Sequence, residues 1–192
     1  FKLIKVLKED VPQNVLDAVN NLRYNSMAVV LIGLNKVKHR DLTAVYVPEK
    51  DSLTHRYCFS AGFADSLSPP GCSSIFCEIT VNGKVGFKGE GKTDEQIIDN
   101  VVSWLTREGF IEKSDVCETD IKHIKYAYPV YDSGYTANTK TIYEYFDKIG
   151  IHLLGRFAQF VYINSDVCIA NAKKLASNLS SKIKVKQFIF KG

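Results

Sequence analysis

An α+β fold, with a mostly antiparallel or mixed sheet and flanking helices, is predicted by three features of the sequence. Apolar or alternating runs of strand length recur up to Tyr128, at Met27 to Leu34, Thr43 to Val47, Arg56 to Ser60, Ser73 to Val81 and Val116 to Tyr128. Turn-forming stretches separate them, such as Pro48 to Leu53 and Asp65 to Gly71. After Pro129 the pattern changes to helix, strand, helix, as in a parallel α/β layer. These features divide the chain into regions 1–128 and 129–192.

Taken in order, Phe1 to Leu7 fits either strand or helix. Pro12 suits an early helix position, with Val15, Ala18, Val19 and Leu22 on one face. Met27 to Leu34 reads as a central strand. Asn82-Gly83, after Ser73 to Val81, is a strong hairpin signal. Thr93 and Gln96 form a capping box ahead of a helix that places Ile97, Val101, Trp104 and Leu105 together. A long strand follows to Tyr128, broken by Pro129 and the turn Tyr131 to Gly134. The next helix runs from about Ala137 to Ile149, burying Ile142, Tyr145, Phe146 and Ile149. Ile151 to Leu154 is too short for a helix and suits a buried parallel strand. Asn164, Ser165 and Asp166 supply a cap and a first-turn acid for a helix bearing Ile169, Ala172, Leu175, Ala176 and Leu179. Lys182 to Phe190 alternates Lys or Gln with Ile, Val and Phe, which suggests an edge strand or an appended arm.

Composition removes several classes of function. At 192 residues the chain has room for one large domain or two small ones. A formal charge of +4 without a long basic run argues against a nucleic-acid partner. No apolar stretch reaches the roughly 20 residues that span a bilayer. Five cysteines, none in a CxxC pair, read as reduced thiols in a cytoplasmic protein. His39, His55, His123 and His152 stand singly, so no metal site is expected.

Gly86 to Thr93 matches the spacing of a phosphate-binding loop. No buried parallel strand feeds it, and Thr93 is accounted for as a helix cap. A nucleotide triphosphate is therefore the least favoured ligand. The dinucleotide fingerprint GxGxxG is absent, because Asp94 stands where its third glycine belongs.

The stretch Leu153 to Leu175 concentrates the remaining chemistry. A strand, a Gly155-Arg156 turn and a helix N-terminus can present backbone donors to an anionic or electron-rich ligand. An ordinary strand-loop-helix connection would have the same composition. Tyr126, Tyr128, Tyr131 and Tyr135, with Phe157, Phe160 and Tyr162, could wall a planar ligand or fill a core.

Tyr126 to Asp132, followed by Leu154-Gly-Arg-Phe-Ala-Gln-Phe-Val-Tyr-Ile-Asn-Ser-Asp166, resembles the C-terminal half of flavoproteins of the protoporphyrinogen-oxidase and amine-oxidase group. Within it, the stretch looks closest to bacterial relatives near UDP-galactopyranose mutase. Leu22 to Ser26 and Pro69 to Ser74 are similar to the substrate domain of these proteins. The resemblance implies that 1–128 is substrate-domain-like and that 129–192 is a C-terminal α/β remnant of an FAD-binding domain. It implies that Gly155, Arg156, Asn164, Ser165 and Asp166 approach FAD. It also implies that Tyr128, Tyr131, Arg156 and Tyr162 meet a small-molecule substrate such as a sugar nucleotide. Ala158 departs from the glycine these proteins often carry there.

The expected function is a C-terminal fragment of an FAD-dependent oxidoreductase of the amine-oxidase type, which binds FAD poorly alone for want of its pyrophosphate cradle. A mutase-like flavin isomerase in polysaccharide biosynthesis and a non-catalytic binding module are the alternatives. The face left by the missing half could form a homodimer.

Overall fold

The computed structural model describes residues 3–7, 11–81 and 89–189. The Asn82-Gly83 hairpin and positions 86–88 of the loop motif lie outside these residues. The chain divides into two compact units, Asn25–Ala127 and the combination of Phe1–Tyr24 with Tyr128–Gly192.

The Asn25–Ala127 unit is built on a sheet of five strands, β1 (Tyr24–Leu34), β2 (Ala44–Tyr46), β3 (Arg56–Phe59), β4 (Ser73–Val81) and β5 (Val116–Pro129). Their order is β2-β3-β4-β1-β5, with antiparallel pairing throughout. The register sets Val30 opposite Cys77, Ile32 opposite Ile75 and Tyr57 opposite Cys77. Side chains alternate across a strand, so this register gathers Ala28, Val30, Ile32, Tyr57, Phe59, Ile75, Cys77 and Ile79 on one face. All are at most 1% exposed.

Helix α2 (Asp94–Arg107) joins these residues in one core through Ile97, Val101, Trp104 and Leu105. The Trp104 ring stacks on Tyr57, with centroids 5.0 Å apart. The predicted capping box is formed: the Gln96 N–H donates to Thr93 Oγ1, and the Thr93 N–H donates to Gln96 Oε1. On the opposite face Leu31 pairs with Phe76 and Val29 with Glu78. Phe76 is exposed there, and Glu78 binds Arg56.

Asp115 secures the entry to β5. Its buried carboxylate receives Lys36 Nζ at 2.5 Å and Lys38 Nζ at 2.8 Å, together with the Glu112 N–H. These donors, Lys36 first, hold its pKa down at about 2.

In the second unit α1 (Gln13–Asn21) packs on α3 (Tyr135–Lys148). Ala18, Val19, Ile142 and Phe146 form the center of this core, and Ile4, Leu7, Leu22, Ile151 and Leu153 pack around it. Helix α3 ends with the Ile151 N–H bonded back to the Phe146 carbonyl, 2.8 Å away. Gly150 takes the left-handed conformation (φ +75°) that this Schellman ending requires.

Two expected elements differ. Ile151 to Leu154 forms no strand. It joins no sheet among the described residues. Ile151 and Leu153 instead turn onto the α1–α3 cluster. The tail from Lys182 is no edge strand either, because α4 (Ser165–Ile189) continues through it. No Gly or Pro interrupts 165–189, and extending a helix is easier than nucleating new structure. Phe190 lies outside the described residues.

Two substitutions test this architecture. An ideal Cβ on Gly62 would sit 1.7 Å from the Leu42 carbonyl oxygen. Gly62→Ala should therefore destabilise by about 3 kcal/mol or more in urea melts. A carboxylate with a depressed pKa stabilises the fold above its unfolded value of about 4. That stabilisation is lost as pH falls through about 2. Asp115→Asn should melt below wild type at neutral pH, and the gap should close on acidification across that window.

Candidate functional site

Between α3 and α4, residues 155–161 wind into a compact turn. The Gln159 N–H bonds to the Gly155 carbonyl at 2.9 Å, and the Val161 N–H to the Arg156 carbonyl at 3.0 Å. Gly155 has φ +85°, where glycine is unstrained. Phe160 has φ +51° and occupies the same Schellman position that Gly150 takes at the end of α3. A side chain in the left-handed region costs roughly 1–2 kcal/mol, so the surroundings must hold this turn.

Three phenols contact it. The Tyr143 hydroxyl donates to the Gln159 carbonyl. The Tyr135 hydroxyl donates to the Phe160 carbonyl at 2.8 Å. The Tyr131 hydroxyl accepts the Tyr162 N–H at 2.6 Å. Tyr131 and Tyr135 also meet edge to face, with centroids 4.6 Å apart. Burial pushes the Tyr135 phenol up to about 12, and burial also raises Tyr143. Both therefore remain protonated donors at neutral pH.

This turn places the Arg156 guanidinium against a pair of adjoining rings, 4.8 Å from the Tyr128 centroid and 4.5 Å from that of Tyr162, the two centroids lying 5.4 Å apart. Each such face contributes roughly 0.5–1 kcal/mol at an exposed site. Arg156 also lines a pocket of about 610 Å³ with Phe157, Ile163, Asn164, Ser165, Asp166 and Cys168. The pocket lies at the N-terminus of α4, where N–H groups without helical partners point outward. Asp166 adds negative charge on one side, so an anionic group fits best toward Arg156.

Arg156, Asn164, Ser165 and Asp166 are thus brought together in one pocket. Gly155 opens the turn and lies outside the lining. Tyr128 and Tyr162 flank Arg156, and Tyr131 holds the backbone of Tyr162. Ala158 lines a separate apolar cavity of about 150 Å³ with Phe146, Leu153 and Phe160. Sequence reasoning missed Tyr143 and the anchoring role of Tyr135, since no periodicity links a phenol to a carbonyl on another segment. Among the described residues no three His, Cys, Asp or Glu side chains converge as metal ligands.

No family model matches the chain, and no curated protein does. Solved structures do match. A reduced UDP-galactopyranose mutase superposes with a TM-score of 0.64 at 18% identity, over 76% of this chain and 31% of its own. The chain shares the fold of part of that enzyme. A protein from Exiguobacterium sp. 255-15 assigned as a protoporphyrinogen oxidase matches with a TM-score of 0.62 at 14% identity, over 94% of this chain and 39% of its own. The chain therefore spans between three and four tenths of these neighbors' lengths. The resemblance read from the sequence is matched here by a common fold.

The raised phenols set an alkaline limit. A phenol whose pKa rises on folding stabilises the fold below its unfolded value of about 10. That contribution is lost as pH climbs through about 12. Phenolate absorbance should show late-titrating tyrosines, fewer by one in Tyr135→Phe. Loss of near-ultraviolet ellipticity should accompany the late phase.

Proposed function

We propose that the chain is the substrate-domain sheet and flavin-facing edge of an FAD-dependent oxidoreductase of the amine-oxidase type. One observation carries this reading: Arg156, Asn164, Ser165 and Asp166 line a single pocket at the N-terminus of α4. The fold shared with a mutase and an oxidase assignment supports it.

Fit to the cofactor is partial. A guanidinium and a helix N-terminus suit an electron-rich ring edge or a phosphate. A dinucleotide fingerprint is absent from the 192 residues, so these residues supply one edge of a flavin site. FAD, when bound, would supply the hydride acceptor. Amides near Ser165 and Asp166 would stabilise negative charge at that edge, and Arg156 would orient a phosphate or carboxylate. Tyr128 and Tyr162 hold the guanidinium and would exclude water from one side of it.

The mutase reading stays open beside the oxidase, supported by the neighbor with the higher TM-score. In that case the small-molecule substrate would be a sugar nucleotide, as in polysaccharide biosynthesis, and Arg156 would meet its diphosphate. Five free thiols support a reducing, cytoplasmic setting. No described helix is long and apolar enough to cross a membrane. Exposed Leu154, Phe157, Tyr162, Val167 and Ile169 would be covered by further polypeptide of the same protein or by a second copy.

The product of the whole reading frame that encodes these residues should purify yellow, or turn yellow with added FAD. The 192-residue chain alone should bind FAD far more weakly. Arg156→Ala in the whole product should lower flavin retention or raise the KM for an anionic substrate. A whole product that stays colorless in excess FAD rules the reading out.

A further inference from the structure

Strand β5 ends the sheet on one side, and no strand among the described residues pairs with its outer edge. At the other side β2 is only 3 residues long, whereas β5 runs for 14. A long edge presents a row of N–H and C=O groups that another strand can complete. Two contacts show how β5 lies on β1. The Ser26 hydroxyl donates to the Lys125 carbonyl at 2.7 Å, and a Cβ on Gly33 would meet the Glu118 Cβ at 3.1 Å. Positions 26 and 33 are as far apart as 118 and 125, so this stretch of β5 follows β1 in one register. The Lys125 carbonyl points inward, to β1. Backbone groups alternate sides along an antiparallel strand, so those of Asp120, Lys122 and Ile124 point outward.

Charge runs along this edge by sign: Glu118 and Asp120 come first, then Lys122, His123 and Lys125. Ile121 and His123 face the α2 side, Ile121 packing on the core and His123 Nε2 meeting Asp94 Oδ1 at 2.9 Å. Asp120 and Lys122 share the opposite side, where their side chains are 49% and 75% exposed. Two identical antiparallel strands pair about a two-fold axis through the sheet, so one residue must face its own copy. With Thr119 at that center, Glu118 would face the partner's Asp120. With Asp120 or Lys122 there, like charges would meet head-on. With His123 there, no opposite charges meet. Ile121 alone sets Asp120 against the partner's Lys122, and does so twice by symmetry.

We infer that β5 is a self-pairing edge: a second copy of this chain adds its own β5 antiparallel, with Ile121 at the two-fold axis and Asp120 facing the partner's Lys122 on both sides of it. Two five-stranded sheets then become one continuous sheet. Charged side chains on an edge repel unselected strands. Here they also select one register for the chain's own copy. The pairing draws on neither the Arg156 pocket nor the exposed apolar side chains of α4.

Sedimentation equilibrium of the 192-residue chain tests this at low ionic strength, where exposed charges are least screened. Wild type should dimerise. Asp120→Lys and Lys122→Asp each set like charges together at both pairs, and each should raise the dimer dissociation constant about tenfold or more. Mixed in equal amounts, the two variants should pair with one another at near wild-type strength, because each then meets opposite charges at both positions. The double variant Asp120→Lys with Lys122→Asp should dimerise by itself for the same reason, and it carries the test if circular dichroism shows a single variant misfolded. A monomeric wild type overturns the inference. So does a dimer that neither single substitution weakens, which would put the interface elsewhere, as on Val167 and Ile169 of α4. Weakening that neither mixing nor the double variant restores overturns it as well.

Discussion

Backbone N–H and C=O groups need hydrogen-bond partners wherever a chain folds back on itself, and this requirement organises both units. In the Asn25–Ala127 unit the five-stranded ladder meets it, and side-chain alternation then supplies a face for α2. Between α3 and α4 no strand is described, so the chain turns on itself and borrows hydroxyls from three tyrosines. The same aromatic side chains answer a polar need and provide flat surfaces. Tyr131 shows both, accepting an N–H from Tyr162 while its ring packs against Tyr135.

Charge is distributed in a related way. Asp115 is buried because two lysines and a backbone N–H converge on it, which holds its pKa down at about 2. Arg156 is held by ring faces instead.

Much of the sheet was readable because its signal is periodic. Met27 to Leu34 and Ser73 to Val81 show apolar side chains of strand type, and Thr93 with Gln96 announces α2 by a local rule. Ile151 to Leu154 misled because its apolar character suits a strand, while being one depends on a neighbor that the described residues do not include. Lys182 to Ile189 misled because alternation mimics a strand, whereas its fate was decided by the unbroken helix before it. Within the site, Arg156 and Asn164 to Asp166 were legible from the turn-then-cap pattern. The bonds from Tyr135 and Tyr143 were not, since a hydroxyl meeting a distant carbonyl leaves no mark on spacing.

The division into units has a kinetic side. The Asn25–Ala127 unit is an insertion between α1 and α3, and the strands that lead into and out of it, β1 and β5, are sheet neighbors. At their outer ends the Val130 N–H bonds to the Arg23 carbonyl at 2.8 Å, so entry and exit are tied side by side. Pairing α1 with α3 across an open insertion costs more closure entropy than pairing them across a folded one. Once the insertion has folded, that loop is effectively reduced to the span of one paired strand end. Connectivity therefore favours closing the sheet before the α1–α3 pair is made.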